Sequence, residues 1–327
     1  MQANPVKLEI NEVGTRDGLQ NECAFVPTDE KVKLVNQLSR LGYSKIEVTS
    51  FTSAQAIPAL RDAEAVMKQI DRVPHVTYTA LVPNARGADR AIECKVDEFN
   101  LVMSASATHN LTNLRMTQEQ SFESLAGVLA LGKGSRVPSN VSLSCVFGCP
   151  MEGEVALDDV LRWVERFARE GAIGITLCDT TGMAYPTQVE AVCNTVLARF
   201  PELIFTAHFH NTRGMGLANT VAAVNTGIRY FDMSLGGLGG CPYAPGASGN
   251  VATEDVVHML ECMGYRTGVD LGGLLQAAKV LEALVGHELP AQVSRAGARL
   301  TRHPVPADFE QIRTRALERD AAARSLA

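Results

Sequence analysis

The sequence predicts an α/β protein of the (β/α)8, or TIM-barrel, class with additional C-terminal helices. Three observations carry this. Eight short runs of β-branched and apolar residues recur along the chain, helix-period segments separate them, and the repeats fill about 250 residues, the usual size of such a barrel.

The runs are KLEINEVG (7–14), KIEVTSF (45–51), TYTALVP (77–83), EFNLVMS (98–104), VSLSCVF (141–147), GITLCDT (174–180), IFTAHFH (204–210) and YFDMSLG (230–236). Between them, EKVKLVNQLSRLG (30–42) sets Val32, Leu34, Val35, Leu38 and Leu41 near one helical face, and LDDVLRWVERFAREG (157–171) reads the same way. A doubly wound open sheet is the alternative, but it announces itself with a glycine fingerprint after the first strand, where this chain has GTRDGLQNE. Past residue 264 the pattern changes. LGGLLQAAKVLEALVGHE (271–288) reads as a packed helix and EQIRTRALERDAAARSLA (310–327) as a charged, peripheral one. The expected division is therefore a barrel over residues 1–290 and a helical tail over 291–327.

Composition excludes several function classes. The 327 residues are 46% hydrophobic with a formal charge of -6, so nothing neutralises a phosphate backbone and nucleic acid is not expected as a partner. No apolar run reaches the roughly 18 to 20 residues of a membrane span. The start, MQANPVKLEI, lacks the pattern of a secretory or transit leader, so a cytoplasmic location is expected. The eight cysteines are then expected as free thiols. Cys145 and Cys149, spaced CxxxC, have no second pair with structural-zinc spacing and read as core and loop.

In a barrel, catalytic groups come from the C-terminal ends of strands and the loops after them. Those places hold Arg16, Asp17 and Gln20 after strand one, Glu47 and Thr49 on strand two, Asp179 ending strand six, and His208 and His210 on strand seven. Strand eight opens into GGLGGCPYAPGASGN. Residues two apart on a strand share a face, so His208 and His210 point together into the mouth while Phe209 points out to the helices. Two hydrogen-bonded interior histidines would satisfy the same spacing. With Asp17 at the same rim and Asn250 beyond strand eight, the set instead suits a divalent cation such as Mg²⁺, Mn²⁺ or Zn²⁺.

The stretch SLGGLGGCPYAPGASGN (234–250) lacks phosphate-loop spacing, and its glycines fit a lid with Cys241 near the tip. A thiol there reads as a small loop residue or as a proton donor and acceptor over a cation. Arg16 reads as a partner of Asp17 or as the group that stabilises a developing oxyanion. Glu47 and Asp179 read as support.

With VGTRDGLQNE, IEVTSF, AHFHNT and GGLGGCPYAPGASGNVATED on the page, the chain resembles the 3-hydroxy-3-methylglutaryl-CoA lyase family over residues 7–288. That family is part of a metal-dependent barrel group that also holds isopropylmalate and homocitrate synthases. The resemblance implies that Asp17, His208, His210 and Asn250 hold Mg²⁺ or Mn²⁺ and that Arg16 faces an enolate oxygen. Cys241 would act from the loop, His208 or Cys241 would move protons, and Gln20, Glu47, Asp179 and Glu254 would give support. The implied reaction is a retro-Claisen cleavage of an acyl-CoA to acetyl-CoA and a keto acid such as acetoacetate. A role in leucine degradation and a homodimer or higher homo-oligomer are implied with it.

Three departures fall near the implied acyl pocket. Cys23 stands where the resemblance leads one to expect lysine, Ser142 where it suggests tyrosine, and HNTRG, with Asn211 and Arg213, where it suggests HDTYG. Ser142 removes bulk and Arg213 adds charge, which points to a larger or differently polar 3-hydroxyacyl-CoA. The rival readings are a synthase condensing acetyl-CoA with a 2-keto acid, a CoA-independent metallolyase, and a CoA-thioester or metal-binding protein without turnover.

Overall fold

Eight parallel strands close on themselves in sequence order: β1 (Glu9–Glu12), β2 (Lys45–Ser50), β3 (Thr77–Leu81), β4 (Glu98–Ser104), β5 (Ser139–Ser144), β6 (Gly174–Asp179), β7 (Ile204–Phe209) and β8 (Tyr230–Met233). β8 pairs back onto β1 over Glu9 to Glu12, which completes the TIM barrel. The computed structural model describes residues 5–240 and 249–325.

Strand alternation sorts side chains into two environments. Ile10, Ile46, Val48, Tyr78, Phe99, Leu101, Val141, Leu143, Ile175, Leu177, Phe205, Phe209 and Phe231 are buried in the layer beneath the helices. The other register is polar: Asn11, Glu47, Thr79, Glu98, Asn100, Asn140, Thr176, Thr206 and Asp232 line the barrel interior, where branched aliphatic residues usually dominate. These polar groups bond one another across strands, so the interior below the mouth is a hydrogen-bonded lattice. At the N-terminal ends of the strands a cavity of about 190 Å³ is lined by Ser44, Lys45, Thr77, Glu98 and Tyr230 among others, and Lys45 pairs there with Glu98.

The helices around the barrel are α1 (Thr28–Leu38), α2 (Ala63–Gln69), α3 (Ala85–Glu93), α4 (Ala107–Leu114), α5 (Gln118–Ser135), α6 (Leu157–Glu170), α7 (Pro186–Arg199), α8 (Gly216–Thr226), α9 (Thr253–Cys262) and α10 (Leu271–Val285). Their ends follow local chemistry. α5 starts in a capping box, with the Thr117 side chain accepting from Gln120 N and the Gln120 side chain accepting from Thr117 N. α6 stops at Gly171, whose φ of 96° is a left-handed cap that costs glycine little. α10 is the packed helix foreseen at 271–288, burying Leu274, Ala277, Ala278 and Leu281.

Compactness divides the chain into Met1–Arg295 and Ala296–Ala327. Residues 291–295 go with the first unit because Gln292 N and Val293 N both donate to the Asp255 carboxylate on α9. After the short α11 (Val293–Ala296), α12 (Phe309–Ser325) buries no residue. No helix among the described residues is long and apolar enough to cross a membrane.

Candidate active site

After β1 the chain does not leave the barrel as an ordinary loop. Gly14–Gly18 forms a single π-helical turn in which Arg16 N, Asp17 N and Gly18 N all donate to Val13 O, at 3.0, 2.7 and 3.3 Å. Such turns are wide and occur mainly at functional sites. This one aims Arg16 and Asp17 inward: Arg16 Nη1 lies 2.8 Å from Asp17 Oδ1 and Nη2 lies 2.7 Å from Glu47 Oε2. Burial works against charge on Arg16, but Glu47 and Asp17 more than offset it and raise its pKa. Gln20 donates to Asp17 Oδ1 at 2.8 Å.

The turn is tied down by Glu12, a fully buried carboxylate that accepts from Tyr43 Oη (2.6 Å), Gly14 N (2.7 Å), Leu235 N (2.8 Å) and Thr253 Oγ1 (2.9 Å). Burial pushes Glu12 up to about 7 despite these four donors. One side chain thus fixes the segments after β1 and β8 against each other.

His208 and His210 do face the same space: their Nε2 atoms are 3.1 Å apart. Two neutral imidazoles with facing lone pairs repel unless one carries the proton, whereas two ligands at right angles about 2.1 Å from one ion sit about 3 Å apart. Asp17 Oδ2 lies 3.9 Å from His210 Nε2, and the ligand atoms of Asp17, His208 and His210 all fall within 4.8 Å of one another. Burial acts to raise the Asp17 pKa, but the charges of Arg16, His208 and His210 and the hydrogen bond from Asn250 outweigh it and bring it down to about 2. His210 is lowered to about 4, by burial and then by His208. His208 goes the other way, since Asp232 and Asp17 outweigh its burial and raise it.

Asn250 completes the set. A short antiparallel bridge to His210 places it, closed by Asn211 N donating to Gly249 O at 2.9 Å and Val251 N to Phe209 O at 3.1 Å. Its Nδ2 donates to Asp17 Oδ2 at 2.8 Å and Leu238 O at 3.0 Å. Both partners accept only, so the amide cannot turn over, and Oδ1 is buried with no hydrogen-bond partner among the described residues. An unpartnered amide oxygen beside a carboxylate and two imidazoles is a donor set that fits a divalent cation. Gly239 makes the approach possible: at φ +99°, a Cβ there would lie 2.7 Å from Asp17 O and 3.0 Å from Asn250 Nδ2.

The remaining expected residues fall at varied places. Asp179, at the end of β6, accepts from Met183 N and Ala184 N with Oδ1 at 2.7 and 3.1 Å. Its Oδ2 is buried without a partner, and burial raises its pKa to about 6. Ser142, on β5, donates to Asn100 Oδ1 at 2.8 Å. Glu254 reaches none of the cation donors directly: it accepts from Gly236 N (2.9 Å) and Ser294 Oγ (2.7 Å) and so braces the turn that leads toward Asn250. Arg213 is exposed, and its Nη1 donates to Thr181 O (3.1 Å) and Gly182 O (2.8 Å), so its charge is engaged in clamping the loop after β6. Cys23 is exposed, while Cys145 and Cys149 are buried and take part in no disulfide. Cys241 lies outside the described residues.

Two residues carry more of the site than their sequence context suggests. Asp232, opposite His208 in the register of β7 and β8, sets its Oδ2 3.6 Å from His208 Nδ1 and accepts from Asn11 Nδ2 at 2.8 Å. A carboxylate on that side turns Nε2 of His208 toward the centre. Asn100 donates to Glu47 Oε1 at 2.7 Å. Both occupy inward strand positions, and continuing the alternation that selected the histidines would have found them.

A TIM barrel that gathers a carboxylate, two imidazoles and an unpaired amide oxygen at the C-terminal rim, with a buried arginine alongside, defines a class of cation-assisted barrel proteins. The chain belongs to the HMGL-like family, whose model matches residues 7–281. It is 49% identical to hydroxymethylglutaryl-CoA lyase YngG of Bacillus subtilis (strain 168), over 88% of this chain and 96% of that protein. It is also 38% identical to (R)-citramalyl-CoA lyase of Chloroflexus aurantiacus, over 88% of this chain and 94% of the other. Among solved structures, an HMG-CoA lyase from Acinetobacter baumannii in complex with coenzyme A and 3-methylmalate superposes with a TM-score of 0.90 at 48% identity, covering 94% of this chain and all of the other.

Proposed function

We propose that this protein is a divalent-metal-dependent carbon–carbon lyase that cleaves 3-hydroxy-3-methylglutaryl-CoA to acetyl-CoA and acetoacetate. The observation that carries the reading is the convergence of Asp17, His208, His210 and the unpaired Asn250 Oδ1, in a chain 49% identical to a hydroxymethylglutaryl-CoA lyase. These four residues would hold the ion, with Mg²⁺ or Mn²⁺ favoured by the oxygen-containing donor set. When bound, such an ion lowers the cost of removing the proton from a tertiary hydroxyl.

The chain's own residues account for the rest. The hydroxyl proton passes to a basic group at the rim, C3 becomes a ketone as the C2–C3 bond breaks, and the bond's electron pair becomes a thioester enolate on C2. Arg16 supplies a positive charge for the enolate oxygen, held in place by ion pairs with half-buried Asp17 and buried Glu47. A proton delivered to C2 completes acetyl-CoA, and the Cys241 thiol is the proposed donor. Glu47 and Gln20 hold Arg16 and Asp17, Asp179 holds the loop after β6, and Glu254 holds the turn after β8.

The test is acetyl-CoA release from 3-hydroxy-3-methylglutaryl-CoA with Mg²⁺ present and after chelation. Metal-dependent release is expected, and a protein that binds Mg²⁺ yet releases nothing from this thioester would overturn the reading. A second acyl specificity within the same chemistry is favoured by Ser142, a small hydroxyl on an inward strand position, together with the 38% identity to a lyase named for citramalyl-CoA. A panel of 3-hydroxyacyl-CoA esters separates the two. Free thiol formed from acetyl-CoA and a 2-keto acid would instead mark the synthase direction.

A further inference from the structure

We propose that Asn100 is a positioning residue that sets where Arg16 holds its charge, acting through Glu47. The inference deepens the lyase reading and rests on it for the role of Arg16. Asn100 lies in the middle of β4, 7% exposed, and its side chain lines the barrel interior. An amide can sit two ways, but here the choice is forced. The Glu47 carboxylate accepts and does not donate, so the Asn100 NH2 faces it, 2.7 Å from Oε1. Asn100 Oδ1 then accepts from Ser142 Oγ at 2.8 Å and Asn140 Nδ2 at 3.3 Å, and Asn140 donates also to Thr176 Oγ1 at 2.9 Å.

A chain of side chains therefore runs from β6 through β5 and β4 to β2 and ends on the turn after β1. Glu47 is gripped at both oxygens: Oε1 by Asn100, and Oε2 by Arg16 Nη2 at 2.7 Å. The last torsion of a glutamate is soft. With Asn100 gone, only the contact with Arg16 holds the carboxylate among the described residues, and the carboxylate can tilt about that torsion and draw Oε2 and the guanidinium off their present place. Arg16 has a second anchor in Asp17 Oδ1, but Asp17 also serves Gln20 and Asn250 and is one of the proposed ion ligands. Glu47 is the anchor that belongs to Arg16 without belonging to the ion, and Asn100 is what holds Glu47.

Two consequences separate this from a role in packing alone. Losing Asn100 would lower the rate of bond cleavage while leaving substrate and cation binding almost as they were. And Asn100 would matter only while Glu47 is present.

The experiment compares wild type with Asn100→Leu, which keeps the branched heavy-atom outline and removes both hydrogen-bonding ends, with Ser142→Ala, and with Glu47→Ala alone and combined with Asn100→Leu. Three quantities are read: acetyl-CoA release from 3-hydroxy-3-methylglutaryl-CoA at saturating Mg²⁺, calorimetric Mn²⁺ affinity, and the NMR resonance of the Arg16 Nε–H, a buried donor with no partner. Asn100→Leu is expected to lower kcat about 10- to 100-fold, the range for an outer support of a site residue, with KM and Mn²⁺ affinity within about threefold of wild type. Ser142→Ala should fall between that variant and wild type. Asn100→Leu added to Glu47→Ala should cost nothing further.

Wild-type kcat in a folded Asn100→Leu protein, or multiplying effects of Asn100→Leu and Glu47→Ala, would overturn the proposal. Should Asn100→Leu fail to fold, Asn100→Ser carries the same comparison. If wild type releases no acetyl-CoA, the lyase reading falls while the resonance still decides: broadening of the Arg16 Nε–H in Asn100→Leu upholds the positioning, and an unchanged signal ends it.

Discussion

In the lower and middle layers of the barrel interior the polar groups answer one another: Lys45 pairs with Glu98, Asn140 donates to Asn100 and Thr176, and Asn11 donates to Asp232. At the C-terminal end, Asn250 Oδ1, His210 Nδ1, Asp179 Oδ2 and Arg16 Nε are buried and have no hydrogen-bond partner among the described residues. Each such orphan costs about 1–3 kcal/mol. The two regions therefore differ in that one satisfies its polar groups internally while the other keeps buried polar atoms unpaired among the described residues, a pattern that the proposed ion and substrate would complete.

The comparison breaks most sharply at the cation donors. Asp17→Ala or His210→Ala is expected to abolish calorimetric Mn²⁺ binding and metal-dependent acetyl-CoA release together, while Lys45→Met, at the other end, should leave both in place. Arg16→Gln should lower kcat about 100- to 1000-fold, the scale for removing one group that faces a developing oxyanion, with Mn²⁺ still bound. Metal affinity should rise with pH. Because His208 is raised above the ordinary histidine value by Asp232 and Asp17, a proton must leave it before an ion is held. Affinity is then weak below that pKa and full above it, and proton release on binding, read in buffers of different ionisation enthalpy, checks the sign.

On stability, Glu12→Ala leaves Tyr43 Oη, Thr253 Oγ1, Gly14 N and Leu235 N without their acceptor. A loss of about 3 kcal/mol or more is expected in denaturant unfolding. Glu12 also predicts a pH slope. With its folded value near 7 against 4.5 for the free group, its contribution is full below 4.5 and is lost as pH rises toward 7. The smallest effect is expected from removing residues 309–327, since α12 buries nothing, and the melting temperature should move by no more than about 2 °C.

Much of this was legible in the sequence, and the limits have physical causes. All eight strands stand where β-branched and apolar runs predicted them, because hydrophobic alternation is a local signal. The expected first strand ran to residue 14 and the eighth to 236, but β1 ends at Glu12 and β8 at Met233. Val13 carries the N-cap of the π turn and Leu235–Gly237 is a 3-10 turn, and neither geometry has an apolar signature. β5 begins earlier than expected, at Ser139, because its inward positions are polar, and ends before Cys145, whose φ of 58° leaves the strand.

Of the site, the histidine pair was visible because its two members are two residues apart. Asp232 and Asn100 were not singled out. Their partners, 24 and 53 residues away in the chain, become neighbours only when the barrel closes. Arg213 was expected to add charge at or beside the acyl pocket; its two carbonyl partners lie in the loop after β6, and that engagement carries no mark in the sequence.

The bridge at Asn250 has a mechanical consequence. Asn250 N donates to Gly239 O and Asn250 Nδ2 to Leu238 O, both at 3.0 Å, so the chain leaving at residue 240 and returning at 249 is stapled shut at its neck. A substitution in the neck itself, at Gly239 or Asn250, would therefore reach the proposed ion-holding groups directly, because the same bonds that close the neck set Asn250 beside Asp17.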